Sequence, residues 1–140
     1  MEKQLFDKIK CGEATFIIVK NNTIVYEDSG IGVKPIMKII NYNPEIINGA
    51  VVADKVIGKA AAMLLCKFKA RYVCGILMSR TAIQILKSYN VEYKYENLVD
   101  TIKNRTNDDL CPLEKCVANT NDIDEGIINI KNTIAELMKK

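Results

Sequence analysis

Two hydrophobic periods alternate along the chain, and each change of period marks an element. Residues 2–11 place Leu5, Phe6 and Ile9 on one helical face, which predicts a short amphipathic helix. Ala14–Val19 and Thr23–Asp28 are rich in β-branched and aromatic residues, with Asn21-Asn22 between them. Asparagine tolerates the left-handed backbone of a tight turn, so this pattern predicts a β-hairpin. Ser29-Gly30-Ile31-Gly32 closes it as a loop. Pro35 suits the first turn of a helix carrying Ile36, Ile39 and Ile40, and Pro44 stops or kinks that helix.

Asp54 reads as the N-cap of a helix over Lys55–Phe68. That segment is apolar on nearly all sides, which predicts a central, covered helix. Tyr72–Met78 is a continuous apolar run of the kind found in strands buried on both faces. Ser79 or Arg80 then leads into a helix over Thr81–Tyr89, closed by Asn90. Val91–Tyr95 alternates like an edge strand, and Asn97–Lys103 reads as one or two helical turns. Asn104–Asp109 is a polar loop, and Pro112 starts a short helix. Asp122 caps a last helix to Met138, whose Ile123, Ile127, Ile130, Ile134 and Leu137 form one buried stripe. A strand, helix, strand succession demands a right-handed parallel crossover, and the hairpin adds antiparallel pairing. The expected fold class is α/β, a three-layer α/β/α sandwich with a mixed sheet, in a single domain over residues 1–140.

Composition removes function classes without naming one. Of 140 residues, 49% are hydrophobic and 26% charged, which excludes a disordered chain. Twenty basic against 17 acidic side chains leave a formal charge of +3, too mild to argue for nucleic acid or an anionic membrane. The chain has no histidine, which excludes His-based triads, Cys–His dyads and imidazole zinc sites. No apolar run approaches the length of a membrane span. The five cysteines are odd in number, and Met1-Glu2-Lys3-Gln4 opens no secretory signal. The expectation is a cytoplasmic protein with reduced thiols, Cys66 and Cys74 buried, and neither metal nor cofactor.

The order of elements is similar to the cytidine-deaminase-like fold. More narrowly, Val52-Ala53-Asp54-Lys55-Val56-Ile57-Gly58-Lys59-Ala60-Ala61-Ala62, Asn104-Arg105 and Cys111-Pro112-Leu113-Glu114 resemble a small bacterial and archaeal domain-of-unknown-function family placed structurally with the deaminases. The resemblance covers almost the whole chain and brings no settled activity. True deaminases carry His-x-Glu or Cys-x-Glu at the start of the central helix and Pro-Cys-x-x-Cys at the start of the next, to hold zinc. Matched to Ala53-Asp54-Lys55 and Ser79-Arg80-Thr81-Ala82, those slots hold no zinc ligand. Zinc-dependent deamination is therefore not expected.

Three constellations carry candidate chemistry. Asp54, Lys55, Gly58 and Lys59 open the predicted central helix, where free N–H groups and two lysines four residues apart suit a phosphate. The plain alternative is a capped core helix with solvated lysines. Ser79 and Arg80 follow a buried strand, where open α/β sheets bind ligands, although Ser79 also suits a simple N-cap. Cys111 and Glu114 start a helix whose N-terminus favours a thiolate, with Glu114 as acid, base or cap and Cys116 as a resolving thiol. Asn104 and Arg105 precede them as an anion clamp, or Arg105 pairs with a neighbouring aspartate. The leading expectation is a zinc-independent enzyme or binding protein for a nucleotide or other anionic small molecule. Catalysis would rest on Asp54, Cys111 and Glu114, and binding on Lys55, Gly58, Lys59, Ser79, Arg80, Asn104 and Arg105. The alternatives are a regulatory module that self-associates through a hairpin exposing Ile24 and Tyr26, and a thiol redox protein using Cys111.

Overall fold

Two hydrophobic cores, one on each face of a five-stranded sheet, organise the chain in the computed structural model, which describes residues 2–104 and 106–139. The elements are α1 (Glu2–Lys10), β1 (Phe16–Lys20), β2 (Thr23–Asp28), α2 (Lys34–Tyr42), β3 (Val51–Ile57), α3 (Lys59–Lys67), β4 (Tyr72–Ser79), α4 (Arg80–Ser88), β5 (Glu92–Val99), α5 (Pro112–Cys116) and α6 (Ile123–Met138). The strand order is β2-β1-β3-β4-β5. β1 runs antiparallel to both β2 and β3, while β3, β4 and β5 are parallel. The hairpin turns at Asn21 and Asn22, with φ of 51° and 62°, the left-handed pair expected of them.

α1 lays Leu5, Phe6 and Ile9 on Ile17, Val19, Val51, Ala53 and Cys74. α2, α3, α4 and α6 cover the other face over Phe16, Ile18, Val52 and Val73. The result is the three-layer α/β/α arrangement with a mixed sheet. α3 buries every residue from Lys59 to Cys66, because it is enclosed by the sheet, α4 and α6. No helix among the described residues is long and apolar enough to cross a membrane.

Three expectations need correction. Val51–Ile57 is a central strand, so Asp54 lies inside β3 and caps nothing, and α3 starts at Lys59 rather than Lys55. A strand buried on both faces and a helix buried all round are both unbroken apolar runs, and only Gly58 separates them. β5 continues to Val99 through residues predicted to be helical, because pairing with β4 runs from Glu92 to Val99. Leu137 is 46% exposed, so the stripe of α6 ends at Ile134.

The parallel strands also change phase. Val52 and Val73 face the α3 side, and so do Ile57 and Met78, five residues further on. An odd interval cannot keep one face in a regular strand, so the alternation slips near Lys55 and Ile76, the positions skipped in the β3–β4 register. Val56 and Leu77 are left half-buried at the carboxyl end of the sheet.

Candidate functional site

The start of α3 is built around a missing side chain. Gly58 is its N-cap, with extended backbone and no side chain to satisfy the first N–H groups. Glu114 reaches across from α5 instead. The Lys59 N–H donates to Glu114 Oε1 at 2.7 Å and the Ala60 N–H donates to Oε2 at 2.8 Å. A Cβ on Gly58 would stand 2.6 Å from Oε1, so glycine is what admits the carboxylate. The anion seat expected here is thus filled by the chain's own Glu114, and the expected acid or base beside a thiol is a buried helix cap. Burial pushes Glu114 above the ordinary carboxylate range, against the pull of the Ala60 and Lys59 N–H groups and the Lys59 ammonium. Burial likewise lowers the Lys59 ammonium, and the neighbouring Glu114 opposes that shift.

Asp54 occupies a different environment. It pairs with Phe16 on β1 and Gly75 on β4, and is 5% exposed. Its Oδ2 is buried with no hydrogen-bond partner among the described residues. Burial pushes the carboxyl well above the usual range, only partly offset by the backbone N–H groups of Lys55 and Val56. Asp54 lines a cavity of about 360 Å³ with Thr15, Gly30, Ile31, Gly32, Lys55 and Val56. The Thr15 hydroxyl donates to the Gly30 carbonyl at 2.6 Å, pinning the loop that forms the opposite wall.

A second cavity, of about 790 Å³, opens at the carboxyl ends of β3, β4 and β5. Its walls are Val56, Leu77, Arg80, Lys103, Asn104, Asn107 and the segment Leu98–Ile102. Arg80 Nε donates to Asp100 Oδ1 at 3.0 Å, and both side chains are solvent-exposed. Val56 borders both cavities, at the end of β3.

Seven of the ten expected residues fall into three groups. Asp54 and Lys55 share the first cavity, Arg80 and Asn104 share the second, and Gly58, Lys59 and Glu114 form the internal cap. Ser79 caps α4, its Oγ accepting from the Ala82 N–H at 3.0 Å. Cys111 precedes α5, half-buried, without a side-chain capping bond, and lines neither cavity. Burial raises Cys116, whose thiol donates to the Leu113 carbonyl at 3.0 Å. Arg105 lies outside the described residues. Sequence reasoning missed Thr15, Gly30, Gly32, Val56 and Lys103 as cavity walls. Gly30 and Gly32, two glycines in one loop after a hairpin, were the available signal. Among the described residues, no three His, Cys, Asp or Glu side chains gather to hold a metal ion.

The model of the domain of unknown function DUF1893 matches residues 4–134. The chain belongs to this family. A crystallised DUF1893 family protein from Thermotoga maritima is 21% identical, with a TM-score of 0.82 over 96% of this chain and 88% of that one. A diaminohydroxyphosphoribosylaminopyrimidine deaminase/5-amino-6-(5-phosphoribosylamino)uracil reductase from Thermotoga maritima is 10% identical, with a TM-score of 0.52. It matches over 68% of this chain and 36% of its own length, a likeness of fold. No curated protein matches. The fold is thus α/β and deaminase-like.

Proposed function

We propose that this chain binds an anionic small molecule of nucleotide type across the carboxyl end of β3. The observation that carries the reading is Asp54, a buried carboxyl with an unpartnered oxygen, which lines one cavity, while Val56 borders both that cavity and a larger one lined by Arg80 and Lys103. Titratable groups displaced by burial inside a cleft concentrate at functional sites. Arg80 and Lys103 would hold the anionic end, with Asn104 and Asn107 as neutral donors. Asp54 would meet the other end as acid or hydrogen-bonding group, with Lys55 beside it. Gly58, Lys59 and Glu114 would act indirectly, by fixing the start of α3. The position fits the rule that open α/β sheets bind ligands beyond the carboxyl ends of their strands.

A thermal-shift panel of nucleoside monophosphates and inorganic anions tests the reading. At least one nucleotide should raise the melting temperature, and Arg80→Ala together with Lys103→Ala should reduce the rise. A panel without any stabilising member overturns it. A second reading, self-association through β2, rests on Ile24 and Val25, 40% and 41% exposed on an edge strand. Tyr26 does not join that surface: it packs edge-on against Phe16 and donates to Asp28 at 2.6 Å. Sedimentation of Ile24→Lys against the parent chain tests this reading.

A further inference from the structure

β5 is the last strand on one side of the sheet, and its outer edge is open. Among the described residues, Glu92–Val99 make no backbone bond outside the ladder to β4. Glu92, Lys94, Tyr95, Glu96 and Asn97 are exposed. Lys94 pairs with Cys74, which lies under α1, and Glu96 accepts from Lys10 of α1 at 3.0 Å. Both charges therefore stand on the α1 side of the strand. Glu92 shares that side by its spacing, and Tyr95 stands on the other. An open edge of this length is a template for another strand. Charges of a single sign would repel a second copy of the same edge, whereas Glu92, Lys94 and Glu96 alternate.

The register decides whether that alternation attracts. Two copies related by a two-fold axis normal to the sheet pair antiparallel, with one residue opposite itself. An axis at Glu96 sets two carboxylates face to face, and an axis at Lys94 sets two ammonium groups face to face. An axis at Tyr93 or at Asn97 engages a shorter part of the strand. An axis at Tyr95 pairs Glu92 through Leu98 and brings only unlike charges together. We propose that this chain forms a two-fold dimer through β5, with Tyr95 on the axis and Lys94 opposite the partner's Glu96 in both halves. Glu96 then lies between Lys10 of its own chain and the partner's Lys94. The contact uses up both β5 edges, so assembly closes at two copies. This edge lies across the sheet from β2, and the dimer stands whether or not either cavity holds a ligand.

Sedimentation equilibrium of the full chain over a micromolar concentration series tests it. The parent should dimerise. Lys94→Glu and Glu96→Lys should each weaken the dimer at least about tenfold, since two attractive cross-strand pairs become repulsive. The double variant Lys94→Glu/Glu96→Lys should bind about tenfold tighter than either single one, because the pairs attract again with their signs exchanged. Circular dichroism checks that each variant is folded. In oxidised glutathione, Tyr95→Cys should give a chain pair linked at residue 95, because opposed Cα atoms of antiparallel strands lie about 4.5–5.5 Å apart, within disulfide reach. Asn97→Cys should not link to its own copy, which the same register places roughly 13 Å away. A parent that stays monomeric throughout the series overturns the proposal. So does a dimer that ignores both charge reversals, a double variant no tighter than the single ones, or a link through residue 97 in place of residue 95. Loss of the dimer in Ile24→Lys, with both charge reversals harmless, overturns it in favour of β2.

Discussion

Replacing Gly58 by alanine should destabilise this protein, yet stabilise it once Glu114 is gone. In the parent chain the new Cβ would stand 2.6, 2.7 and 2.9 Å from Oε1, Cδ and Oε2 of Glu114, so the whole carboxylate must leave. What leaves with it is two hydrogen bonds to an acidic group, about 1.5–3 kcal/mol each, with two buried N–H groups left unpaired. The cost of burying the carboxyl itself works the other way, so Glu114→Ala should cost about 3 kcal/mol. Gly58→Ala forfeits most of the same energy but restrains the unfolded chain, which returns about 0.4–1 kcal/mol and leaves a net loss of about 2 kcal/mol. The Gly58 backbone, φ −98° and ψ −175°, is one that alanine adopts without strain. In the Glu114→Ala background only the gain remains, and the sign reverses. Urea denaturation of the four chains, with slopes checked for two-state behaviour, measures the cycle. Equal effects of Gly58→Ala in both backgrounds, within about 0.5 kcal/mol, would refute the argument.

Asp54 titrates higher in the folded state than in the unfolded one, so its contribution is full at low pH and is lost as pH rises toward the folded value. Asp54→Asn removes this loss. Its melting temperature relative to the parent should climb as pH rises above about 4, and a flat difference would count against a buried Asp54 whose titration is raised by burial. Gly126→Ala puts a Cβ against the Met63 sulfur, with Val117 behind it. Despite a helix-propensity gain of about 1 kcal/mol, crowding this core contact should cost about 1–3 kcal/mol by chemical denaturation. Brief alkylation near neutral pH should modify the exposed Cys11 first and the half-buried Cys111 next. Burial pushes Cys66 to about 11 and Cys74 to about 12, so peptide mapping should find both unmodified in the folded protein.

Amphipathic elements were legible in the sequence, and fully buried ones were not. Leu5, Phe6 and Ile9, the Asn21-Asn22 turn, and the spacing from Ile123 to Ile134 each carry a period that survives folding. β3 carries none, since apolar residues surround it on both faces and α3 follows after one glycine. Asp54 then mimicked a helix cap, because a short acidic residue before an apolar run is the ordinary sign of one. The site shows the same division. Asp54, Lys55, Arg80 and Asn104 line cavities in the structure, but Asp54 and Lys55 do so from within a strand rather than from the helix start expected of them. The bond from the Lys59 N–H to Glu114 spans 55 residues between donor and acceptor, and no local pattern reports it.

The separation of the two cores gives the silent thiols different meanings. Cys74 lies in the cluster that, among the described helices, α1 covers, whereas Cys66 belongs to the cluster enclosed by α2, α3, α4 and α6. Leu5, Phe6 and Ile9 hold α1 in place with roughly 1.5–3 kcal/mol apiece, before the entropy of ordering nine residues is subtracted. Undocking α1 is therefore a smaller event than unfolding the sheet. Labelling of Cys74 should proceed through that partial opening and respond weakly to urea, while labelling of Cys66 should follow the steep dependence of global unfolding. Labelling of that kind would make α1 a cover over one core and give each level of opening its own reporter, Cys74 for the first and Cys66 for the second.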